Sequence, residues 1–227
     1  MSADTKPRTV DVLLDRHGRT YASEAGIRLR RNTPAPLFQL LCLSLLLSAR
    51  IRADAAVSAA RALREAGWTT PDAMADSTWA QRTKVLNRAG YARYDESTSR
   101  MLGQAVDLLR DRYRGDLRRL RDDADRDPDT ERRLLQQFTG IGGVGASIFC
   151  REVQLVWDEQ YPYADDRALA TAERLGLGHD VSDLTELVDG AEQLTMLVAA
   201  LVRCGLADDA DDVVAAVESV SGSAGRR

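Results

Sequence analysis

Two stretches of this chain hold residues whose types and spacing could do chemistry. The first is Phe138-Thr139-Gly140-Ile141-Gly142-Gly143-Val144-Gly145-Ala146, a Gly-Ile-Gly turn with a helical pattern on each side. The second is Tyr163-Ala164-Asp165-Asp166-Arg167, at the start of another helical pattern. Gly140 and Gly142 can take backbone angles that other residues resist. A bare turn also lets phosphate oxygens reach the N–H groups that open the next helix. That would make an anion site without a basic side chain. Glycine also ends helices routinely, so the turn alone fits a plain helical hairpin equally well. Asp165 and Asp166 have two uses as well, since a carboxylate just before a helix can simply cap it.

The elements that must position these groups are almost all helical. Apolar residues recur at spacings of three and four, and no run alternates strictly. A short helix opens at Val10–Leu14 and ends near Gly18, and residues 20–33 read as loop or irregular helix. Pro34 and Pro36 introduce a long apolar helix through Leu47, the expected central core helix. Helices follow over about 53–66, from Thr70-Pro71, over 77–88 and over 95–114. Mixed charges between Arg110 and Arg133 read as a solvated helix and loop. Asp127-Pro128 caps the helix that leads to Phe138, and the second hairpin helix is expected over about 143–156. Helices at 165–175, 182–188, 192–204 and 208–220 complete the chain, with 221–227 a disordered tail.

Composition narrows the classes. The 227 residues are 44% hydrophobic and 29% charged, enough for a sizeable core and ordinary for a soluble protein. No uninterrupted apolar run has the roughly 18 residues of a membrane span, and Met1-Ser2-Ala3-Asp4 shows no secretion signal. We therefore expect a cytoplasmic protein with no membrane partner. Cys42, Cys150 and Cys204 lie far apart inside apolar patterns, and the histidines are His17 and His179. That reads as reduced core thiols and argues against a zinc or iron–sulfur site; no metal and no cofactor is expected. The net charge of −4 is unevenly spread. Residues 50–120 hold 14 Lys/Arg against 9 Asp/Glu, net +5, while residues 158–227 hold 5 against 15, net −10. One part could face a polyanion where the other could not. Lys6 and Lys84 are the only lysines.

The Phe138–Ala146 segment, the run Ala164-Asp165-Asp166-Arg167-Ala168-Leu169-Ala170-Thr171-Ala172-Glu173-Arg174-Leu175-Gly176-Leu177, and Leu46-Leu47-Ser48-Ala49-Arg50 together resemble the helix-hairpin-helix DNA glycosylases of the endonuclease III type. Their order and approximate spacing match over roughly residues 36–205. The resemblance implies an all-α fold of two helical lobes with DNA in the cleft between them. One lobe would be a bundle over 36–157 ending in the hairpin, and the other would combine 1–35 with 158–220. It further implies a monomer, nucleoid-associated, acting on double-stranded DNA that carries a lesion or mismatch. The target nucleotide would be turned out of the stack, because its glycosidic bond is inaccessible inside it.

Carried over by position, Asp165 falls on the family's catalytic aspartate, where a carboxylate stabilises positive charge on the sugar or activates water. Gly140, Gly142, Gly143, Gly145 and Ser147 fall on the hairpin that binds the DNA backbone. Arg50 falls where a side chain fills the gap left by the flipped nucleotide, and Tyr91 near the loop that wedges the opposite strand. A helix-end arginine and a half-buried tyrosine are the plain alternatives for these two. Asp166 reads as the purer helix cap, and Arg167 stands where many relatives have histidine.

Two departures shape the expected reaction. The lysine with which bifunctional members attack the sugar is replaced by Val144, and neither Lys6 nor Lys84 lies near that motif. The four-cysteine iron–sulfur site has only Cys204 in its region. The expected activity is therefore base removal by water, a monofunctional DNA N-glycosylase of base excision repair. A non-catalytic DNA-binding protein on the same fold is the alternative, motivated by both losses and by a pI of about 5.3. A helical interaction module, whose hairpin glycines only end a helix, is the third.

Overall fold

The computed structural model describes residues 5–224, and every regular element among them is helical. The α-helices are α1 (Thr5–His17), α2 (Tyr21–Glu24), α3 (Pro34–Ser48), α4 (Ala53–Glu65), α5 (Pro71–Ala75), α6 (Trp79–Arg88), α7 (Asp95–Tyr113), α8 (Leu117–Asp123), α9 (Pro128–Leu135), α10 (Gly143–Val153), α11 (Asp166–Arg174), α12 (Val181–Thr185), α13 (Gly190–Ala207) and α14 (Ala210–Ala224). Short 3₁₀ turns lie at Leu29–Arg31 and Asp158–Gln160. The chain forms two compact units, one of residues 21–159 and one of residues 5–20 with 160–224.

Helix starts follow local chemistry. Thr70, Asp127 and Asp165 each accept a backbone N–H of the first helical turn through their own side chains. Thr78 with Gln81, and Asp180 with Asp183, form reciprocal capping boxes. α3 is apolar around its whole circumference, so it is buried on all sides; Leu37, Leu40, Leu43 and Leu46 are fully enclosed. It stops at Ser48 because Ala49 turns to an extended conformation.

Residues 21–35 belong with the larger unit, whereas the sequence places them in the smaller lobe. The reason is a buried carboxylate far along the chain. Glu152 on α10 accepts the N–H groups of Tyr21 at 2.7 Å and Ala22 at 3.3 Å. Arg61 donates to the carbonyl of Glu24, and Arg64 to that of Ala25. Ile27 and Leu29 are buried beneath them. At the other end of this unit Arg121 pairs with Glu159 and lies 5.6 Å from the centre of the Trp157 ring.

The smaller unit is built on α13. Leu194, Leu197, Val198 and Leu201 are wholly enclosed and meet Val10 and Leu13 of α1 and Ala168 and Ala172 of α11. This central position explains why α13 is apolar enough over 18 residues to match a membrane span by length and composition. His17 Nε2 lies 2.6 Å from Asp209 Oδ2, tying the end of α1 to the start of α14. Helix α14 continues through Ala224, so residues 221–224 are helical where the sequence predicts a disordered tail; residues 225–227 lie outside those described.

One glycine is indispensable here. Gly178 has φ +146, and a Cβ on it would stand 2.2 Å from Asp183 Cβ. That closeness lets Asp183 accept the N–H groups of His179 and Asp180. Gly178→Ala is expected to cost roughly 2 kcal/mol or more in stability. The measurement is the thermal midpoint of the whole chain, expected to fall by about 5 °C; an unchanged midpoint would contradict the close approach.

Candidate nucleic-acid interface

The hairpin joins α9 to α10 within the larger unit. Leu134, Leu135 and Phe138 anchor its first arm in the core, and the Phe138 ring stacks on Tyr113 at 6.2 Å. The turn closes through the Ile141 N–H, which donates to the Phe138 carbonyl at 2.9 Å. Ile141 itself is buried and fastens the turn from below. Gly142 is the N-cap of α10 and has no side chain to supply a capping bond. The Ala146 N–H is the first to close, onto the Gly142 carbonyl at 3.0 Å. The N–H groups of Gly143, Val144 and Gly145 therefore open the helix without intrahelical acceptors, at the positive end of its dipole.

The four hairpin glycines have different causes. Gly140 has φ +91, and a Cβ there would meet Met101 Sδ at 2.8 Å. Gly145 is packed from inside: a Cβ would meet Ser48 Oγ at 2.6 Å and the Ile141 side chain at 3.2 Å. Gly142 and Gly143 have no such cause. Gly142 has φ −91, Gly143 is helical, and a Cβ on either would find nothing within 4 Å. Both are exposed. Neither position is held bare by packing against the interior of the protein. Their bareness leaves the backbone of the turn open to solvent.

The contact between Gly145 and Ser48 also sets the end of α3 beside the first turn of α10. Arg50, two residues on, is exposed and forms no ion pair among the described residues. Ser147 is half-buried, and its hydroxyl makes no hydrogen bond among the described residues. Val144, on the same turn, is 59% exposed. The structure thus gathers Gly140, Gly142, Gly143, Gly145, Ser147 and the Ser48–Arg50 segment in one place. Ser48 was visible in the sequence only as a neighbour of Arg50; its role against Gly145 needed coordinates.

Tyr91 does not fit a surface role. Its ring is fully buried, and its hydroxyl donates to the Leu46 carbonyl at 2.9 Å. Burial pushes its phenol above the ordinary range. A tyrosine has both an apolar body and a polar tip, and here the tip satisfies a carbonyl near the end of α3. Tyr91 is fastened to α3 at Leu46 and cannot stack on a base without unpacking the core. The exposed residues after it are Ala92 and Arg93, with the Arg93 guanidinium 5.3 Å from the Tyr94 ring centre.

Asp165 belongs to the smaller unit. It is the N-cap of α11, and its Oδ1 accepts the Ala168 N–H at 3.1 Å. Asp166, read from sequence as the purer cap, is instead the first helical residue, and its side chain is exposed. Arg167 is exposed too, and its carbonyl accepts from Thr171 Oγ1 at 3.2 Å. Asp165 as a residue is half-buried.

Among the described residues no three His, Cys, Asp or Glu side chains gather as a metal site would require. Cys42, Cys150 and Cys204 are free, buried thiols, and burial pushes those of Cys42 and Cys150 up to about 12.

The elements define an all-helical protein carrying a helix-hairpin-helix. No family model matches the sequence, and no curated protein matches it. Two solved structures of endonuclease III with DNA are similar to it: a trapped covalent intermediate in an estranged-adenine complex, and a non-covalent complex. Each is 17% identical over 72% of this chain and 71% of the other, with TM-scores of 0.46 and 0.47. At that distance the likeness does not extend to the roles of residues.

Proposed function

We propose that this chain is a DNA-binding protein that removes a damaged or mispaired base from duplex DNA by hydrolysis, a monofunctional N-glycosylase working as a monomer. The observation that carries the binding half is the bareness of Gly142 and Gly143 at an uncapped helix start, where no neighbour forbids a side chain. A phosphate needs this: N–H groups aimed outward, a positive dipole end, and no Cβ in the way.

For the chemical half, Asp165 supplies a carboxylate that stabilises the sugar cation as the glycosidic bond breaks, or takes a proton from the attacking water. Water adds at the anomeric carbon and the base departs with a proton. Val144 carries no nucleophile and the chain's lysines are Lys6 and Lys84, so no Schiff base follows and the abasic strand is left intact. The test is release of free base from uracil, oxidised-pyrimidine, alkylated-purine and mismatch duplexes. Release without strand cleavage is expected from at least one.

A second reading is favoured by one observation. Asp165 has a structural reason to exist, because it caps α11. A DNA-binding protein without chemistry would keep it for that alone. Such a protein would bind duplex in a salt-sensitive way and release no base from any substrate in the panel.

A further inference from the structure

An open cavity of about 360 Å³ lies where the starts of α3 and α5 meet the end of α7, with two Thr-Pro pairs, Thr33-Pro34 and Thr70-Pro71, and with Asp72 and Arg114 in its lining. Its volume falls within the span of small-ligand clefts, about 300–1,000 Å³. The Pro34 and Pro71 rings give it apolar wall. Gly115 lies against one of them, since a Cβ on it would stand 3.8 Å from Pro71 Cγ. Helix α3 is 15 residues long, about 22 Å, and its far end packs on Gly145 through Ser48. The cavity therefore stands apart from the hairpin, and a ligand in it does not depend on DNA there.

Three side chains in the lining keep donors without acceptors among the described residues. Thr33 is the N-cap of α3, yet its side chain caps nothing. A threonine cap accepts the second or third helical N–H, and the third residue here is Pro36, which has none. The Thr33 hydroxyl makes no hydrogen bond among the described residues. Thr70 does cap, accepting the Ala73 N–H at 3.2 Å, and its own proton has no acceptor among them. Arg114 is exposed and forms no ion pair among the described residues. It holds φ +51, a left-handed backbone that disfavours a side chain. The one carboxylate in the lining, Asp72, pairs with Arg110 at 3.1 Å. Two arginines against one carboxylate leave a single positive charge in excess.

We propose that this cavity binds a small organic monocarboxylate, its carboxylate on Arg114 and the hydroxyls of Thr33 and Thr70, its apolar body against the rings of Pro34 and Pro71. The fork of an arginine matches a planar carboxylate with two parallel N–H bonds. A hydroxyl adds one more donor each. One excess charge suits a monoanion, whereas a phosphate dianion would bring a second negative charge beside Asp72.

The test titrates the full chain, without DNA, with benzoate, benzamide and phenyl phosphate, followed by the amide NMR signals of Ala35, Asp72, Arg114 and Gly115. Benzoate is expected to shift these signals with a Kd of about 1 mM or below, the range open to so small a ligand. Benzamide, of the same shape without the charge, is expected to bind at least about tenfold more weakly, and phenyl phosphate more weakly than benzoate. Arg114→Asn removes the guanidinium and keeps a residue that tolerates φ +51. It is expected to weaken benzoate by about 10- to 100-fold. Thr33→Val deletes a hydroxyl that caps nothing, so it serves as a second variant whose fold is not at stake, with an expected loss of about threefold. Benzoate that leaves these signals in place up to about 20 mM overturns the proposal, as does equal binding of benzamide or wild-type affinity in Arg114→Asn. Tighter binding of phenyl phosphate overturns the choice of a carboxylate.

Discussion

Asp165→Asn is expected to lower the rate of base release by about 10²- to 10⁴-fold, the range for loss of a positioned acid–base group, while duplex affinity and folding stay as they were. The choice of asparagine separates two jobs that this residue could hold. Asparagine caps a helix about as well as aspartate, so the bond from the Ala168 N–H keeps an acceptor. What disappears is the negative charge that stabilises the sugar cation and the basicity that activates water. Single-turnover release of base, measured beside a thermal melt, reads both at once. A variant that melts normally and still releases base at the wild-type rate would remove Asp165 from the chemistry. Asp165→Ala, by contrast, is expected to lose about 1 kcal/mol of cap as well, and the two variants together divide the structural share from the chemical one.

Gly142→Asp is the second large effect, and the geometry makes it a clean substitution. Gly142 has φ −91 and ψ −164, angles open to any residue, and a side chain there would meet no neighbour. Aspartate is also a favoured N-cap, so the variant is expected to fold within a few tenths of a kcal/mol of the wild type. Its carboxylate would occupy the N–H groups of the first turn and present a negative charge where a phosphate is expected to sit. Losing a charge-assisted contact of about 1.5–3 kcal/mol amounts to roughly a 10- to 100-fold fall in duplex affinity. The slope of log affinity against log salt is expected to decrease by about 1, one fewer phosphate engaged. Titrations at several salt concentrations check this. An affinity that does not move would leave the hairpin as a helix junction and nothing more.

The two substitutions draw on different kinds of information, and that difference marks how far the sequence could be read. Two helix starts were legible because a cap is a local event: Thr70 and Asp127 sit within three residues of the N–H groups they satisfy. The buried course of α3 was legible for a similar reason, since a helix apolar on every side has no face to offer water. Which of two adjacent aspartates capped α11 was not. Both can accept the same bonds, and the choice between Asp165 and Asp166 turned on where the backbone left its extended conformation. Residues 21–35 were misassigned because their hold on the larger unit runs through Glu152, 131 residues from Tyr21.

Tyr91 illustrates the same limit at the interface. As a letter in a loop between helices it could point outward or inward with equal chemical sense. Its direction was decided by a carbonyl at Leu46 that needed a donor.

By itself the sequence determined that the regular elements are helices, where several of them begin, that the lysines are two and far along the chain from the hairpin, and that a glycine turn precedes a pair of carboxylates. These are properties of residue type and near spacing, fixed by torsional preference and by caps a few bonds away. Only the tertiary structure decided why each hairpin glycine is a glycine. Gly140 holds φ +91 beside Met101 and Gly145 packs closely on Ser48, residues 39 and 97 positions earlier in the chain, whereas a Cβ on Gly142 or Gly143 would meet nothing within 4 Å. Steric need is set by atoms distant in sequence and close in space, and four identical letters cannot carry that distinction.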